Sequence, residues 1–470
     1  MTALDASIVN ISLPSISATF HTPIGGASEW VVIAYLVVIA ASLLSFGRLS
    51  DVVGRKPVWM AGLVVFTLGS AWCGAAGSLA QLIVARILQG FGGALIFAPS
   101  FAIITDAFPP TERGRALGLN AVVFAIATSL GPTLGALITA HLTWRWVFYL
   151  NVPISVLALI ASERVLTAPD ARAREQLDVP GAVLLAVGFA SLTLALSFSA
   201  AWGWIRLLAC VVVGIASLIA AGWIDHRSPY PIVDLALFRD RVVGSALASM
   251  AVAMLALFAV GFVLPFYFEQ LRRFSVVESG MLLTPLPLTM AIVAPVSGAM
   301  ADRLGSRWLT SGGLALATLG LLLLARLDER STVPDIVACL VLTGLGQGLF
   351  QSPNARALMN AAPSGEQGQA SSLYATARVV GQSLSVALAG TVFAALGGAA
   401  AGHALLVAQS GSGATEDVVA LQHAFVTGFR GTLLVCAAIA AGGALVALVR
   451  GAERSVWPAT ASSSRVLSRR

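Results

Sequence analysis

Asp5 and Arg86 are ionisable residues inside long, otherwise apolar runs of the chain. A carboxyl group in apolar surroundings is able to alternate between neutral and ionised forms near physiological pH, which is the chemistry of proton exchange. An arginine at the centre of a membrane helix costs about 2.5–3.5 kcal/mol on insertion scales. Arg86 must therefore face a polar cavity or a partner, or be held structurally by backbone carbonyls. Arg378 is a second deep cation. Glu269, near the end of another apolar run, reads either as a site acid or as a solvated interfacial charge.

A second pattern combines glycine with charge. Gly47, Asp51, Gly54, Arg55 and Lys56 form G-x-x-x-D-x-x-G followed by basic residues, between two apolar runs. Gly298, Asp302, Arg303, Gly305 and Arg307 repeat it, with the last basic residue one place further on. The glycines permit a tight turn, and the aspartate suits a helix N-terminus, where partial positive charge favours it. Such a loop is either a gate, made in one state and broken in another, or a solvated turn that sets topology. Its repetition favours the gate.

These residues are carried by membrane helices. A charged fraction of 11% and a hydrophobic fraction of 57% exclude an ordinary soluble domain, which carries about 25% charged residues. The mean hydropathy is +0.88. Runs of roughly 20 apolar residues recur, each long enough to cross a bilayer as a helix. They are continuous rather than alternating, so a β-barrel is excluded. Fourteen candidate spans result: 2–19, 30–47, 58–76, 80–104, 117–140, 147–166, 180–199, 205–224, 243–268, 277–299, 307–325, 335–354, 371–396 and 424–449. The fold class is an all-α polytopic membrane protein.

With the N-terminus inside, cytoplasmic segments hold nineteen basic residues against six outside, which predicts both termini in the cytoplasm. Trp30, Trp144, Trp146, Trp202 and Trp204 mark outer span ends. The net charge of +6 is an orientation signal and gives no reason to invoke nucleic acid. The four cysteines lie in separate apolar runs and the five histidines are scattered, so no metal site or cofactor is expected.

The chain repeats itself. Residues 90–99 match 344–353, and residues 112–116 match 366–370, with one common displacement. The expected organisation is a six-helix half at 1–166, two inserted helices at 167–240, a second six-helix half at 241–450 and a basic tail at 451–470. An even number of inserted helices leaves both halves parallel, with a substrate cavity between them near the midplane.

Four segments carry a family resemblance: 47–56; 82–92, with Arg86, Gln89, Gly90 and Gly92; 127–135, with Gly131, Pro132 and Gly135; and 4–14, with Asp5, Asn10 and Pro14. With these, the chain resembles the major facilitator superfamily and, within it, the fourteen-span drug:proton antiporters, whose fold is two six-helix bundles plus two extra helices. The resemblance implies a proton-coupled exporter of small amphipathic compounds, monomeric, in the cell membrane, with substrate, protons and lipid as its partners. It makes Asp5 and Arg86 the proton-coupling residues. It makes the bent seam at Gly131, Pro132 and Gly135 a seal against proton leak; by spacing alone this is equally ordinary small-residue packing. Cavity candidates are Asn10, Gln89, Gln347, Arg378 and Glu269.

Several departures matter. Ala127 replaces the usual first glycine, Glu269 stands where glutamine is usual, and residues 281–301 hold no acid, which weighs against dicationic substrates. Asp5 also falls in the first turn of its run. A normal span then calls for an upstream stretch of roughly ten to fifteen mostly apolar residues, without which Asp5 would lie at the cytoplasmic surface. The alternative function is an uptake symporter or facilitator for a small organic solute. Without a Walker A sequence, metal cluster or nucleophile-and-base set, a membrane enzyme is not indicated.

Overall fold

The computed structural model describes residues 1–20, 30–109, 111–166, 178–197, 204–227, 240–363, 367–409 and 418–450. The tail 451–470, the linker 167–177 and Trp202 lie outside the described residues. The first part of the chain forms α1 (Thr2–Thr19), α2 (Trp30–Val53), α3 (Arg55–Ala75), α4 (Leu79–Ala107), α5 (Arg113–His141), α6 (Arg145–Tyr149) and α7 (Asn151–Val165). Then come α8 (Val179–Ser197) and α9 (Trp204–Arg227). The last part forms α10 (Arg241–Phe266), α11 (Val276–Leu283), α12 (Pro285–Leu304), α13 (Arg307–Leu324), α14 (Val333–Ala361), α15 (Gln367–Ala395), α16 (Gly398–Gln409) and α17 (Val418–Leu448).

Every apolar run folds as helix, but the expected count of fourteen spans is not reached by length and composition. Among the described residues, eleven segments are long and apolar enough to cross a membrane, with α6–α7 and α11–α12 each acting as one. Helices α1, α5 and α8 fall outside that set. Serine, threonine, asparagine and aspartate dilute the apolar content of α1, and in α8 the apolar stretch among the described residues is Pro180–Leu192. Helix α16 was not legible as an element. It forms because Gly397, at a φ of 80°, turns the chain back after α15, letting α16 pack along α17.

The internal repeat holds at the level of single contacts. Helices α4 and α14 stand one repeat apart at both ends, and so do α5 and α15. A Cβ on Gly90 would come within 3.1 Å of the Tyr35 carbonyl oxygen, and one on Gly344 within 2.5 Å of the Leu286 carbonyl oxygen. A Cβ on Gly92 would meet the Phe66 nitrogen at 2.3 Å, and one on Gly346 the Ala317 nitrogen at 2.3 Å. Equivalent glycines thus press on equivalent neighbours, since Tyr35 is separated from Leu286 by the same stretch of chain as Phe66 from Ala317. Backbones can touch only where side chains are this small. Pro99 and Pro353 lie inside α4 and α14 at equivalent positions, each deleting one helical hydrogen bond.

Each bundle has its own apolar core. Met250, Leu264, Leu321, Phe350 and Phe429 are fully buried in the second, and Ile8, Leu82 and Phe148 in the first. Helices α8 and α9 pack on each other, and α8 also touches α2 and α15, one helix from each bundle.

Candidate functional site

Asp5 lies in the first turn of α1, yet its side chain is fully buried. Its carboxylate accepts from Arg86 Nη1 at 2.7 Å, Asn151 Nδ2 at 2.7 Å and Gln89 Nε2 at 3.0 Å. Arg86 is equally buried and also donates through Nε to the Val31 carbonyl oxygen at 2.8 Å and through Nη1 to Gln89 Oε1 at 2.7 Å. Its guanidinium carbon sits 4.0 Å from the centre of the Tyr35 ring, a cation–π contact. Ser70 Oγ accepts from Gln89 Nε2 at 3.1 Å and donates to the Phe148 carbonyl oxygen at 2.9 Å.

Elements α1, α2, α3, α4 and α7 thus converge on one ion pair. Arg86 and Gln89 are three residues apart on α4, so a single helical face presents both to Asp5. Removing one partner of such a buried pair strands a charge at a cost of about 3–5 kcal/mol. Chemically, the carboxylate is the one group here that can take up a proton and so release the arginine. The second bundle has no counterpart: the positions equivalent to Arg86 and Gln89 are Leu340 and Thr343. Sequence reading found Asp5, Arg86 and Gln89. It missed Ser70, Tyr35 and Asn151, although a lone asparagine inside the apolar run 147–166 was a usable signal.

The glycine–aspartate motif differs from its sequence reading. It is no loop. Helix α2 runs through Asp51 to Val53, Gly54 at φ 110° is the only hinge residue, and α3 starts at Arg55. The second copy does the same, with α12 ending at Leu304 and Gly305 at φ 81°. This frees Asp51 to reach across the molecule, where the N–H groups of Gly368 and Gln369, in the first turn of α15, donate to it at 3.0 and 2.9 Å. Asp302 does the mirror operation on α5, accepting from the N–H of Gly114 at 3.0 Å and of Arg115 at 3.3 Å. Each carboxylate caps a helix of the opposite bundle, at its positive end.

An arginine anchors each carboxylate. Arg55 lies 3.7 Å from Asp51, pairs with Asp106 and donates to the Ala102 carbonyl oxygen at 3.3 Å. In the second copy Arg303 is exposed, and the guanidinium on Asp302 belongs to Arg356 at 2.7 Å, which also donates to Ser306 Oγ at 3.2 Å. Arg356 stands at the position equivalent to Ala102, and Arg55 at that equivalent to Ser306. The same corner is filled from opposite sides, which is why the repeat concealed Arg356. Lys56 bonds the Glu163 carbonyl oxygen at 3.0 Å instead of joining the latch.

Close backbone contact seals this end. A Cβ on Gly47 would fall 2.1 Å from Ser372 Oγ, and one on Gly298 would fall 1.9 Å from the Gly114 carbonyl oxygen. The two bundles are therefore closed on each other at the latch end.

The remaining residues are dispersed. Gly131 and Gly135 are buried in α5, where a Cβ on Gly135 would lie 3.1 Å from the Ile8 carbonyl oxygen, a seam against α1. The side chains of Asn10 and Pro132 lie outside the described residues. Gln347 is half-buried on α14. Glu269 is half-buried in a π-helical turn, Tyr267–Leu271, that continues α10. Arg378 stacks on Phe124, away from the ion pair. Among the described residues, no group of histidine, cysteine and acidic side chains could hold a metal.

Two related helical bundles, latched at one end, with a buried charge network in one of them, define the architecture of a membrane transporter. The chain belongs to the Major Facilitator Superfamily, whose family model matches residues 1–386 and 288–466. It is 36% identical over 83% of its length to an uncharacterized transporter, YebQ, of Escherichia coli (strain K12), covering 85% of that protein. It is 33% identical to the riboflavin transporter RibZ of Clostridioides difficile (strain 630), over 84% of this chain and 86% of the relative. The multidrug resistance protein Stp of Mycobacterium tuberculosis (strain CDC 1551 / Oshkosh) is 32% identical over 84% of this chain and 74% of its own. The crystal structure of the human organic anion transporter MFSD10 superposes with a TM-score of 0.65 at 15% identity, covering 95% of this chain and 96% of that one. Members of this family are transporters, not enzymes, and carry small molecules.

Proposed function

We propose that the protein is a proton-coupled exporter of small amphipathic organic compounds in the cell membrane. It crosses the bilayer fourteen times, with both termini and the latch in the cytoplasm. It works by alternating access between a first half at 1–166 and a second at 241–450. The observation that carries this reading is the buried Asp5–Arg86 pair, confined to one bundle and wrapped by Gln89, Asn151 and Tyr35. Protonation of Asp5 would discharge the pair and loosen the packing of α1 on α4. Substrate arriving from the cytoplasm would compete for the same rearrangement, so proton entry and substrate exit alternate.

The charge asymmetry at the membrane surfaces supports the orientation, and the multidrug resistance relative supports export. The riboflavin transporter among the relatives supports a second reading, in which the chain is an uptake symporter or facilitator for one specific solute. Transport direction separates the two. In right-side-out vesicles, an imposed proton gradient, acid outside, should drive a fluorescent amphipathic dye outward. Accumulation of the dye against its gradient under the same conditions would refute export.

A further inference from the structure

Arg378 and Phe124 are separated by the displacement that relates α5 to α15, so they are equivalent positions of the two bundles. They also touch: the Arg378 guanidinium carbon lies 3.7 Å from the centre of the Phe124 ring. Equivalent positions of two related units meet only where the symmetry axis passes between them. Arg378 therefore stands on the pseudo-two-fold axis of the molecule. Both residues lie ten positions beyond the latch glycines Gly368 and Gly114, or about 15 Å along their helices, in the middle third of each.

Burial along α15 marks this level as a floor. Residues 367–376 are buried on every side, whereas 377–380 are only half-buried. One turn towards the latch from Arg378, Tyr374 is fully buried, donates to the Gln351 carbonyl oxygen at 3.3 Å and meets Phe101 of the other bundle edge-on at 5.3 Å. Access thus begins at Arg378, above an aromatic seal.

The charge here is unbalanced. Neither α5 nor α15 contains an acidic residue, and Arg378 makes no ion pair with a described residue. The other two deep charges, Asp5 and Arg86, neutralise each other. An arginine kept in the middle of a membrane helix without a carboxylate marks a functional position. Its planar fork suits bidentate contact with a carboxylate, and the Phe124 ring offers an aromatic face. We propose that Arg378 and Phe124 form the substrate-selecting element on the axis, and that the substrate is a planar aromatic compound carrying a carboxylate or similar anion. This deepens the export reading and rests on it.

The test pairs two dyes with the same xanthene ring: fluorescein, an anion with a free carboxylate, and rhodamine 6G, a cation whose carboxylate is esterified. Each is titrated against the purified full chain in nanodiscs by fluorescence anisotropy, with no proton gradient. Fluorescein should bind at least tenfold more tightly than rhodamine 6G. Arg378→Gln should raise the fluorescein Kd at least tenfold and leave rhodamine 6G within twofold. Arg378→Lys, which keeps the charge, should retain at least a threefold preference and guards against misfolding of the glutamine variant. Phe124→Ala should weaken both dyes. Equal or reversed preference in the wild type, binding of neither dye, or an unchanged fluorescein Kd in Arg378→Gln each overturns the proposal. If Arg378→Gln alters only the opening of the latch, the pair is a lock and the proposal fails. Binding preference that persists without gradient-driven efflux would leave this assignment standing and refute proton-coupled export instead.

Discussion

Asp51→Ala removes one latch without disturbing the other. The carboxylate holds two N–H groups of α15 at 3.0 and 2.9 Å in a buried setting. Hydrogen bonds to a charged group contribute about 1.5–3 kcal/mol each. Arg55 keeps Asp106 and the Ala102 carbonyl oxygen, so its loss of Asp51 adds little. At the lower figure per bond, the latched state is destabilised by about 3 kcal/mol, roughly a hundredfold in the ratio of latched to open molecules. Asp302→Ala should do more, about 4 kcal/mol, because Arg356 loses a carboxylate at 2.7 Å and is left as a buried charge. Spin labels at Val53 and Leu304, both exposed and in the last turns of α2 and α12, measure the separation of the bundles at this end. With the four native cysteines replaced, electron–electron resonance should show a short distance in the wild type. Both alanine variants should show a growing long-distance population, larger for Asp302→Ala. Unchanged distance distributions in both variants would refute the latch.

Steric variants should act in the same direction. Gly298→Val places a branched side chain where even a Cβ meets the Gly114 carbonyl oxygen at 1.9 Å, so the labelled bundles should stay apart whatever the solution conditions. Arg86→Ala strands Asp5 and should lower the thermal unfolding midpoint, by about 3–5 kcal/mol in free energy. Asp5→Asn should cost at least as much, because it strands the Arg86 guanidinium, which cannot discharge, and turns an amide N–H₂ towards donors. Thermal melts of both variants in detergent check the order.

The fold was legible because apolar runs and a duplicated motif are local in sequence. Register told more than composition: the displacement read from the repeated motifs carries over to the contacts of Gly90 and Gly344. The ion pair was legible only in part. Asp5 and Arg86 stand out as charges in apolar runs, but Asn151 and Ser70 join them through packing across α3 and α7, which no local pattern encodes. From the sequence alone, the depth of Asp5 is tied to its distance along the first helix, because no partners are visible there. The partners brought by α4 and α7 bury it there. Arg356 was hidden for a related reason. Its guanidinium does the work of Arg55 from a different helix, so aligning the two motifs pointed to Arg303 instead.

Proton coupling through Asp5 is tested most directly by separating exchange from driven transport in one set of proteoliposomes. The probe is whichever xanthene dye the wild type binds more tightly. Wild-type protein should exchange the dye across the membrane at equal concentrations, and should also concentrate it when a pH gradient is imposed. Asp5→Asn should keep the exchange within a few-fold and lose the gradient-driven accumulation entirely. Accumulation in Asp5→Asn that follows the pH gradient as in the wild type would contradict the assignment of Asp5 as the coupling carboxylate.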